Sequence, residues 1–407
     1  MDTLRTTSVR VDIDWVRRAV VAAQRIPPAG DVVTDASDAS DAEAARATSA
    51  AEVLRHIGLI QLDPLMRVST AQRLTCLTRL PRTHSASDVD PSLWPKDRVV
   101  SFESFTKVAC LFPIEDWPLL KRRRERTAQG SREDLAEDLV SEIQQVVAAQ
   151  PGGVRIGTIE SQVGAGERTT GWNWTRVKQT AELMVRTGRL VITSRQGTTR
   201  LFDLPERGLP AEVRAAEDLP QWQLLGALAR RAAVNLAVMT RADFAHQYHL
   251  SAEDALAGID HAGLVPVEVE GWRDEGFCLP ELLDGVLPDP SAQGVVAGPG
   301  EPREARLIGP FDPLLRDRRR ARRVLDFDYL FEAYVPREKR VHGHYVMGVL
   351  SGGRMIGRVD IQRVGDELRV NEVFPEAGVP RRVLLPRVRG AGKTLARQLG
   401  AELVLPR

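Results

Sequence analysis

The segment HIGLIQLDP at residues 56–64 decides the fold. A helical run before it ends at Gly58, because glycine readily adopts the left-handed conformation that terminates helices. The chain then reads as extended, since the residue before Pro64 is restricted to β or polyproline geometry. Successive side chains of an extended chain point to opposite faces, so the apolar residues face a core while Gln61 and Asp63 project together from the other face. An amide and a carboxylate side by side on a rigid segment can hold a water molecule between them.

The same segment supports a second interpretation of Asp63. Asp followed by Pro is a strong helix start, with Asp63 as the N-cap and Pro64 at the first helical position. In that case the carboxylate closes a helix end and has no chemical role. The two interpretations differ on whether a helix begins at Pro64.

The clearest architecture lies in residues 128–210, which we interpret as a winged helix. Helix, short strand, helix, helix and a two-stranded wing follow in that order. The predicted helices are residues 135–148, 158–163 and 175–187, and the predicted strands are residues 154–156, 190–193 and 200–202. Residues 211–286 repeat the pattern as a third module, with helices predicted to open at Gln221, Thr240 and Ser251.

Residues 1–127 are predicted to form a first module of the same type, degraded by an insertion at residues 31–48. The insertion is rich in Ala, Asp, Ser and Thr, so we expect it to be mobile. Helix–glycine–strand junctions at Gly58, Gly188 and Gly263 favour three related modules in tandem.

After a Pro- and Gly-rich linker at residues 287–302, residues 303–407 become strand-like. The predicted strands are residues 333–335, 345–350, 354–361 and 367–374, and the predicted terminal helix is residues 393–399. Antiparallel meanders of this kind often close into a small barrel. The predicted fold class is therefore α+β, with tandem winged-helix modules followed by a small antiparallel β-barrel-like domain at the C-terminus.

The composition is that of an ordinary globular chain, with 43% hydrophobic and 27% charged residues among 407. The net charge of +1 means that any nucleic-acid contact must come from locally clustered arginines. Three scattered cysteines, Cys76, Cys110 and Cys278, give neither a disulfide framework nor a zinc spacing. No segment reads as a signal peptide or reaches membrane-spanning length. We expect a cytoplasmic protein without a cofactor, a metal or a membrane partner.

Two groups of short motifs carry a resemblance to a known family. The first group is QLD at residues 61–63, LMRV at 65–68 and LTR at 77–79. The second group is GPFDPLL at residues 309–315, DRRR at 317–320, DFDY at 326–329, YVPREKR at 334–340 and GRVD at 357–360. In this order they resemble the winged-helix DNA glycosylase family of YcaQ/AlkZ type, whose members excise bulky N7-alkylated purines and unhook interstrand crosslinks. The resemblance covers most of the chain.

The resemblance implies a role for each polar residue of the opening segment. An N7-alkylated base is already cationic and leaves without a general acid. Asp63 would place negative charge near the developing sugar cation and accept the proton of a water that Gln61 orients. No lysine is needed as a nucleophile. We therefore expect a monofunctional N-glycosylase that acts on double-stranded DNA as a monomer associated with the nucleoid.

Basic residues mark the expected DNA surface. Six arginines between residues 316 and 323 repel one another unless carboxylates or anions neutralise them, and a phosphate backbone would do so. Tandem winged helices favour nucleic acid independently. The predicted nucleic-acid-binding residues are Arg67, Arg176, Lys178, Arg195, Arg200, Arg318, Arg319, Arg320, Arg337, Lys339 and Arg340.

The sequence departs from the family pattern at four positions. Thr70 and Gln72 stand where the family usually has Arg and His. Lys107 lies in a segment where the family has a histidine among aromatic residues, and Arg316 replaces a tryptophan. Two competing hypotheses are a non-catalytic winged-helix regulator and an inactive relative that serves as a protein scaffold. Regulators usually bind palindromic sites as dimers, and the sequence has no heptad or evident dimerisation helix.

Overall fold

The structure is a computed structural model that describes residues 9–26, 47–164, 174–284 and 305–406. The predicted linker at residues 287–302 lies outside this part of the chain. The predicted insertion at residues 31–48 also lies outside it, apart from its last two residues.

The first part of the chain builds a complete set of winged-helix elements around the opening segment. The elements are β1 (Val9–Val11), α1 (Ile13–Ala23), α2 (Ala50–Ile57), β2 (Ile60–Gln61), α3 (Ala71–Arg79), α4 (Ala86–Leu93), β3 (Ser101–Phe105), β4 (Ala109–Pro113) and α5 (Lys121–Gly130). From α2 to β4 the order is helix, strand, helix, helix, hairpin, and β2 pairs antiparallel with β4. The expected degradation of the first module is therefore not seen in the described residues.

The helix predicted to precede Gly58 is present, but no helix begins at Pro64. Ser49 caps α2 by accepting a hydrogen bond from the Glu52 amide at 3.2 Å, and Gly58 ends it with a φ of 77°. Residues 62–70 contain no helix, and the N-cap of α3 is Thr70. The next helix is α3, Ala71–Arg79.

Two further groups of elements have the same order. The second group is α6 (Glu137–Ala148), α7 (Ile156–Val163), α8 (Arg176–Thr187), β5 (Val191–Gln196) and β6 (Thr199–Asp203), with a bridge from Val154 to Phe202 in place of the first strand. After α9 (Pro205–Gly208) and α10 (Ala211–Ala215), the third group is α11 (Gln221–Leu236), β7 (Met239–Thr240), α12 (Arg241–Tyr248), α13 (Ala252–Asp260), β8 (Val265–Val269), β9 (Gly276–Cys278) and α14 (Pro280–Leu283). Thr240 and Ser251 cap α12 and α13, as the sequence predicted. We propose three winged-helix modules on this basis.

The three glycine junctions do not occupy equivalent places in the modules. Gly58 joins the first helix of its module to the short strand β2, whereas Gly188 and Gly263 each join the third helix to the wing. All three adopt positive φ, at 77°, 80° and 63°. The likeness of the three junctions therefore reflects a shared way of ending helices. It does not show that the modules repeat in the same register.

The N-terminal strand and helix pack mainly against the third module and the C-terminal domain, and only the end of α1 contacts the first module. β1 pairs in parallel with β8 of the third module. In α1, Val16 and Val20 enter a core formed by the third module and the C-terminal domain. The expectation that residues 1–127 form one module is therefore wrong for these two elements.

The C-terminal domain is a curled sheet covered by a long helix. Its elements are β10 (Ala305–Ile308), α15 (Pro313–Arg316), α16 (Arg318–Leu325), β11 (Val346–Ser351), β12 (Arg354–Val364), β13 (Glu367–Pro375), α17 (Arg381–Gln398) and β14 (Glu402–Val404). The strand order is β10-β11-β12-β13-β14, antiparallel except for the last pair. The predicted α+β class is confirmed, although the sheet has β10 and β14 as its two edges and is not a closed barrel.

Two predictions for this domain were wrong for identifiable reasons. No strand forms at residues 333–335, because the chain turns there with a Val335 amide bond to the Glu332 carbonyl at 3.0 Å. The terminal helix begins at Arg381 and not at residue 393, and it carries Pro386 in its interior. Its buried face includes Leu384, Val388 and Leu395, which a proline and many arginines obscure in the sequence.

Candidate functional site

Asp63 lies in the irregular connection between β2 and α3. Its Oδ1 accepts a hydrogen bond from the Leu65 amide at 2.9 Å, which forms a local turn and not a helix cap. Its Oδ2 has no hydrogen-bond partner among the described residues. Burial raises the pKa of Asp63, and the bond from Leu65 opposes part of that rise. The helix-cap interpretation of Asp63 is therefore wrong, and one carboxylate oxygen is available for chemistry.

Gln61 stands two residues before Asp63, at the end of the short strand. Its backbone pairs with Cys110 of β4, and Leu62 extends the ladder with an amide bond to the Ala109 carbonyl at 2.9 Å. Ile60 is fully buried while Gln61 is half-buried, as the alternation predicted. Pairing with β4 thus makes the segment before Asp63 rigid.

The C-terminal sheet closes the other side of this site. The Arg363 amide donates to the Arg67 carbonyl at 2.9 Å, and the Arg67 guanidinium contacts the Gln362 amide oxygen. Tyr345 packs in the same core as Ile60, and its buried hydroxyl has no hydrogen-bond partner in the described residues. Burial raises the pKa of Tyr345 well above its usual range, and the neighbouring Asp63 carboxylate adds to the rise. The candidate site therefore lies between the first module and the C-terminal domain.

A histidine adds a neutral polar group at this edge. Burial lowers the pKa of His344, and the nearby Arg340 and Arg67 guanidiniums lower it further. The imidazole is consequently uncharged at neutral pH, while Arg67 is exposed and Arg340 is half-buried. Positive charge near His344 therefore comes from Arg340 and Arg67.

The structure brings together two of the four positions that depart from the family pattern. Arg316 Nη2 donates to Thr106 Oγ1 at 3.4 Å and lies 4.0 Å from Cys110 Sγ. Lys107 follows Thr106 directly, and Cys110 is the residue that pairs with Gln61. Nothing in the sequence places residue 316 beside residue 106, so the approach of Arg316 to Cys110, the strand partner of Gln61, was missed.

The other two departures lie inside the first module. Thr70 is a buried N-cap whose hydroxyl has no partner in the described residues. Gln72 is buried and its amide donates to Asp90 of α4 at 3.4 Å. Both residues therefore pack and position α3.

Two predicted DNA contacts in the second module are engaged by carboxylates of the protein. Arg195 donates to Glu103 at 2.6 Å and stacks on the Trp94 ring, 4.5 Å from its centroid. Arg200 bridges Glu103 at 2.8 Å and Glu182 at 2.6 Å. Glu103 is a buried residue of β3. These two arginines therefore join the first and second modules, and their contact with DNA stays a prediction.

The arginine-rich helix α16 contains both buried and exposed members. Arg320 is 6% exposed and donates to Asp243 at 2.8 Å and to the Leu236 carbonyl at 2.6 Å. Arg318 donates to the Pro310 carbonyl at 3.1 Å. Arg319 is exposed. The Asp243 carboxylate thus offsets the charge of Arg320, and backbone carbonyls accept hydrogen bonds from Arg318 and Arg320. The phosphate contacts of these two arginines stay predictions.

The remaining predicted DNA contacts lie on the surface. Arg176 is exposed and Lys178 lies over the Trp174 ring, with 4.5 Å from Nζ to the centroid. Arg337 and Lys339 are exposed in the connection before β11. Together with Arg67, Arg319 and Arg340 they are the predicted contacts whose side chains reach the surface.

Two residues of the sequence motifs, Arg79 and Asp312, have a structural role. Arg79 donates to both oxygens of Asp312, at 2.7 and 3.0 Å, and both side chains are 1% exposed. Arg79 also donates to the Gln24 amide oxygen at 2.7 Å, and Gln24 in turn donates to the Asn235 carbonyl at 2.7 Å. This buried network joins α3, α1, α11 and the segment before α15.

Nothing in the described residues points to a metal at Asp63. Those residues contain no group of three or more His, Cys, Asp or Glu side chains placed to hold a metal ion. No helix among them is long and apolar enough to cross a membrane. Cys76, Cys110 and Cys278 are buried free thiols. Two depressions of about 290 and 300 Å³ lie at α17 and between α2 and α4, and neither is lined by Gln61 or Asp63.

Comparisons with known proteins agree with this geometry. A model of one protein family, described as DNA glycosylase AlkZ-like, matches residues 54–402. The solved structure of the DNA glycosylase AlkZ from Streptomyces sahachiroi is similar, with a TM-score of 0.61 and 15% sequence identity. The similarity covers 98% of this chain and 100% of that chain, and at this identity it concerns the fold alone. With the family model spanning all three modules and the C-terminal domain, this chain belongs to the AlkZ-like DNA glycosylase family.

Proposed function

We propose that this DNA glycosylase hydrolyses the N-glycosidic bond of bulky N7-alkylated purines or of interstrand crosslinks in duplex DNA, with Asp63 as its catalytic carboxylate. The observation that carries the proposal is the hydrogen bonding of the Asp63 carboxylate. One oxygen is held by the Leu65 amide, the other has no partner among the described residues, and Gln61 stands beside it on a rigid strand.

The proposed mechanism uses charge stabilisation and water positioning. An alkylated N7 makes the base a cationic leaving group, so the bond to the sugar breaks without protonation of the base. Asp63 stabilises the oxocarbenium-like sugar and accepts the proton of the attacking water, whose oxygen the Gln61 amide orients. The base leaves with the bonding electron pair and loses its positive charge, and the sugar gains the hydroxyl. Each step requires ionised Asp63.

The half-buried position of Asp63 between the first module and the C-terminal domain is compatible with bulky substrates. The site lies at a surface junction and does not require that a base enters a tight pocket. A glycosylase that extrudes its base needs such a pocket, and it would reject large adducts and crosslinks. The predicted contacts Arg67, in the connection after β2, and Arg337, Lys339 and Arg340, in the connection before β11, would hold phosphates of the duplex. We propose that the protein acts as a monomer on DNA of the nucleoid.

Base release from defined duplexes tests the proposal. Duplexes that carry N7-methylguanine, a bulky N7 adduct or an N7-linked crosslink are incubated with the protein, and free base is measured by chromatography. We expect release with an intact strand, because a monofunctional enzyme leaves an abasic site without cleaving the backbone. Strand cleavage before heat or base treatment would contradict the monofunctional mechanism. Release of uncharged damaged bases alone would contradict the proposed substrate class.

A further inference from the structure

The connection between α16 and β11 is held rigid by one buried carboxylate. Glu332 is 1% exposed and accepts hydrogen bonds from the amides of Val341 at 2.7 Å, His342 at 2.7 Å and Gly343 at 3.2 Å. Burial alone would raise the pKa of Glu332, but these three bonds keep it below the usual value. Within the loop, the Lys339 amide also donates a hydrogen bond to the Pro336 carbonyl at 2.9 Å. Residues 332–343, which we call the basic loop, are therefore preorganised.

The basic loop exposes two apolar side chains to solvent. Tyr334 is 83% exposed and Val341 is 71% exposed, the two largest values among the large exposed hydrophobic residues of the described chain. Single exposed apolar residues are common on proteins, but here they alternate with the exposed cations Arg337 and Lys339 and the half-buried Arg340. An aromatic ring flanked by cations is the chemistry that binds nucleic-acid bases and their phosphates together.

A chain of aromatic rings connects the loop to the candidate site. Tyr334 contacts Phe331 edge to face at 6.2 Å between centroids, and Phe331 contacts Tyr345 in the same way at 6.1 Å. Tyr345 lies in the same core as Ile60 and next to Asp63. A duplex with its damaged sugar at Asp63 would therefore pass close to Tyr334. The ring lies at the surface end of this chain of aromatics, where only solvent now covers it.

We propose that Tyr334 is a base-stacking residue that occupies the gap opened in the duplex beside the lesion, while Arg337 and Lys339 hold the adjacent phosphates. The proposal rests on the placement of the reaction at Asp63, but it concerns DNA binding and not bond cleavage. Stacking depends on the face of the ring and not on base identity, so it suits an enzyme that meets damage in any sequence. The buried Glu332 carboxylate fixes the loop before DNA arrives, which lowers the entropy lost on binding.

Binding to undamaged duplexes tests this inference separately from catalysis. The dissociation constant is measured by fluorescence anisotropy for a fully paired duplex and for one with a single unpaired base, at several salt concentrations. The wild-type protein should prefer the duplex with the unpaired base. Tyr334→Ala should lose that preference, by roughly 10-fold in affinity, with an unchanged salt slope because no phosphate contact is removed. Tyr334→Phe keeps the ring and should behave as the wild type. Trp222→Ala, which removes an exposed ring on the third module, is the matched control and should have no effect.

Each other outcome overturns the inference. Equal discrimination by Tyr334→Ala and wild type, or no preference in the wild type, would remove the stacking role. A loss in Tyr334→Phe as large as that in Tyr334→Ala would assign the effect to the hydroxyl. A flattened salt slope in Tyr334→Ala would show that the loop and its cations had moved. Because no base is released from these duplexes, failure of the glycosylase proposal leaves this test unaffected.

Discussion

The Asp63 carboxylate is kept where burial opposes its charge. Because its folded pKa is raised above the usual value, the folded protein binds a proton at Asp63 more readily than the unfolded chain does. Ionised Asp63 therefore lowers stability at neutral pH, and this loss disappears as the pH falls through the raised pKa. A buried charge of this kind is typical of residues used for chemistry.

The raised pKa gives a prediction for the pH dependence of base release. Only ionised Asp63 can stabilise the sugar cation, so the single-turnover rate should fall on the acid side with a midpoint above the ordinary value of 3.8. The rate is measured on an alkylated duplex from roughly pH 3.5 to pH 8, with enzyme-free depurination subtracted at each pH. A rate that stays constant down to the ordinary pKa of an aspartate would contradict the assignment.

His56 makes a separate prediction about stability. Burial lowers its pKa from 6.5 to about 4, while its Nε2 bonds to the Ala23 carbonyl at 2.7 Å. The unfolded chain takes up a proton near pH 6.5 and the folded chain does not, so stability should fall as the pH drops from 6.5 to about 4. The shift corresponds to at most about 3 kcal/mol. Urea unfolding of the wild type and of His56→Gln should show a smaller acid loss in the variant. Equal pH dependence would contradict a buried neutral His56.

The sequence predicted that Gln61 and Asp63 share a face but did not predict which arginines pair with carboxylates, and the reason is physical. Local pattern shows that Gln61 and Asp63 share a face, because that depends only on the alternation of an extended chain. Whether an arginine meets a phosphate or a carboxylate depends on partners distant in sequence. Arg320 and Asp243 are 77 residues apart, and no local pattern brings them together.

At the scale of elements, helix α16 carries arginines with two different roles, one in the protein interior and one at the surface. Asp317 caps the helix by accepting bonds from the Arg319 and Arg320 amides, both at 3.1 Å. Arg320 then points into the protein toward Asp243, while Arg319 points to solvent. Neighbouring residues of a helix lie on different faces, so one charge run serves both the core and the surface.

Because Arg320 is buried and Arg319 is exposed, replacing each one should change a different property of the protein. Arg320→Ala should lower the free energy of unfolding by roughly 3–5 kcal/mol, because it leaves buried Asp243 with less compensation. Arg319→Ala should leave stability nearly unchanged and reduce the salt slope of duplex binding by about 1. Chemical unfolding and binding titrations measure the two quantities on each variant. If Arg319→Ala left the salt slope at the wild-type value, this face of α16 would not be a DNA surface.

Element prediction succeeded where short-range signals were strong. The Thr240 and Ser251 caps and the glycine that ends α2 could be predicted because capping chemistry is local. The edge strand β14 and the N-terminal strand β1 were not, since each is three residues long and forms by pairing with a distant partner. Pro386 hid the first half of α17 because proline usually ends a helix.

At the scale of the whole molecule, the buried Arg79–Asp312 pair fixes the position of the first module relative to the C-terminal domain around the candidate site. It lies between α3, which follows Asp63, and the C-terminal domain, which supplies Tyr345 and the basic loop. The Gln24 and Asn235 contacts extend the same network to α1 and α11. Loss of the pair should therefore change the relative position of modules and not one element alone.

Substitution at this pair tests that role. Arg79→Ala should cost roughly 3–5 kcal/mol of unfolding free energy, because it leaves the Asp312 carboxylate buried without its cation. Arg354→Ala removes the exposed ion pair with Asp14 and serves as the control, with little expected change. Thermal and urea unfolding measure both variants. A cost for Arg79→Ala no larger than that for Arg354→Ala would contradict the linking role of the network.

The most direct measurement of the central claim is base release by Asp63→Asn on an alkylated duplex. Asn keeps the size of the side chain and can still accept the Leu65 amide bond, but it removes the charge. We predict that the variant folds with no loss of stability, binds the duplex as the wild type does, and loses base release by roughly 100-fold or more. Gln61→Ala should lose less, because orienting the water is only part of the mechanism. Equal base release by Asp63→Asn and the wild type would contradict the catalytic role of Asp63.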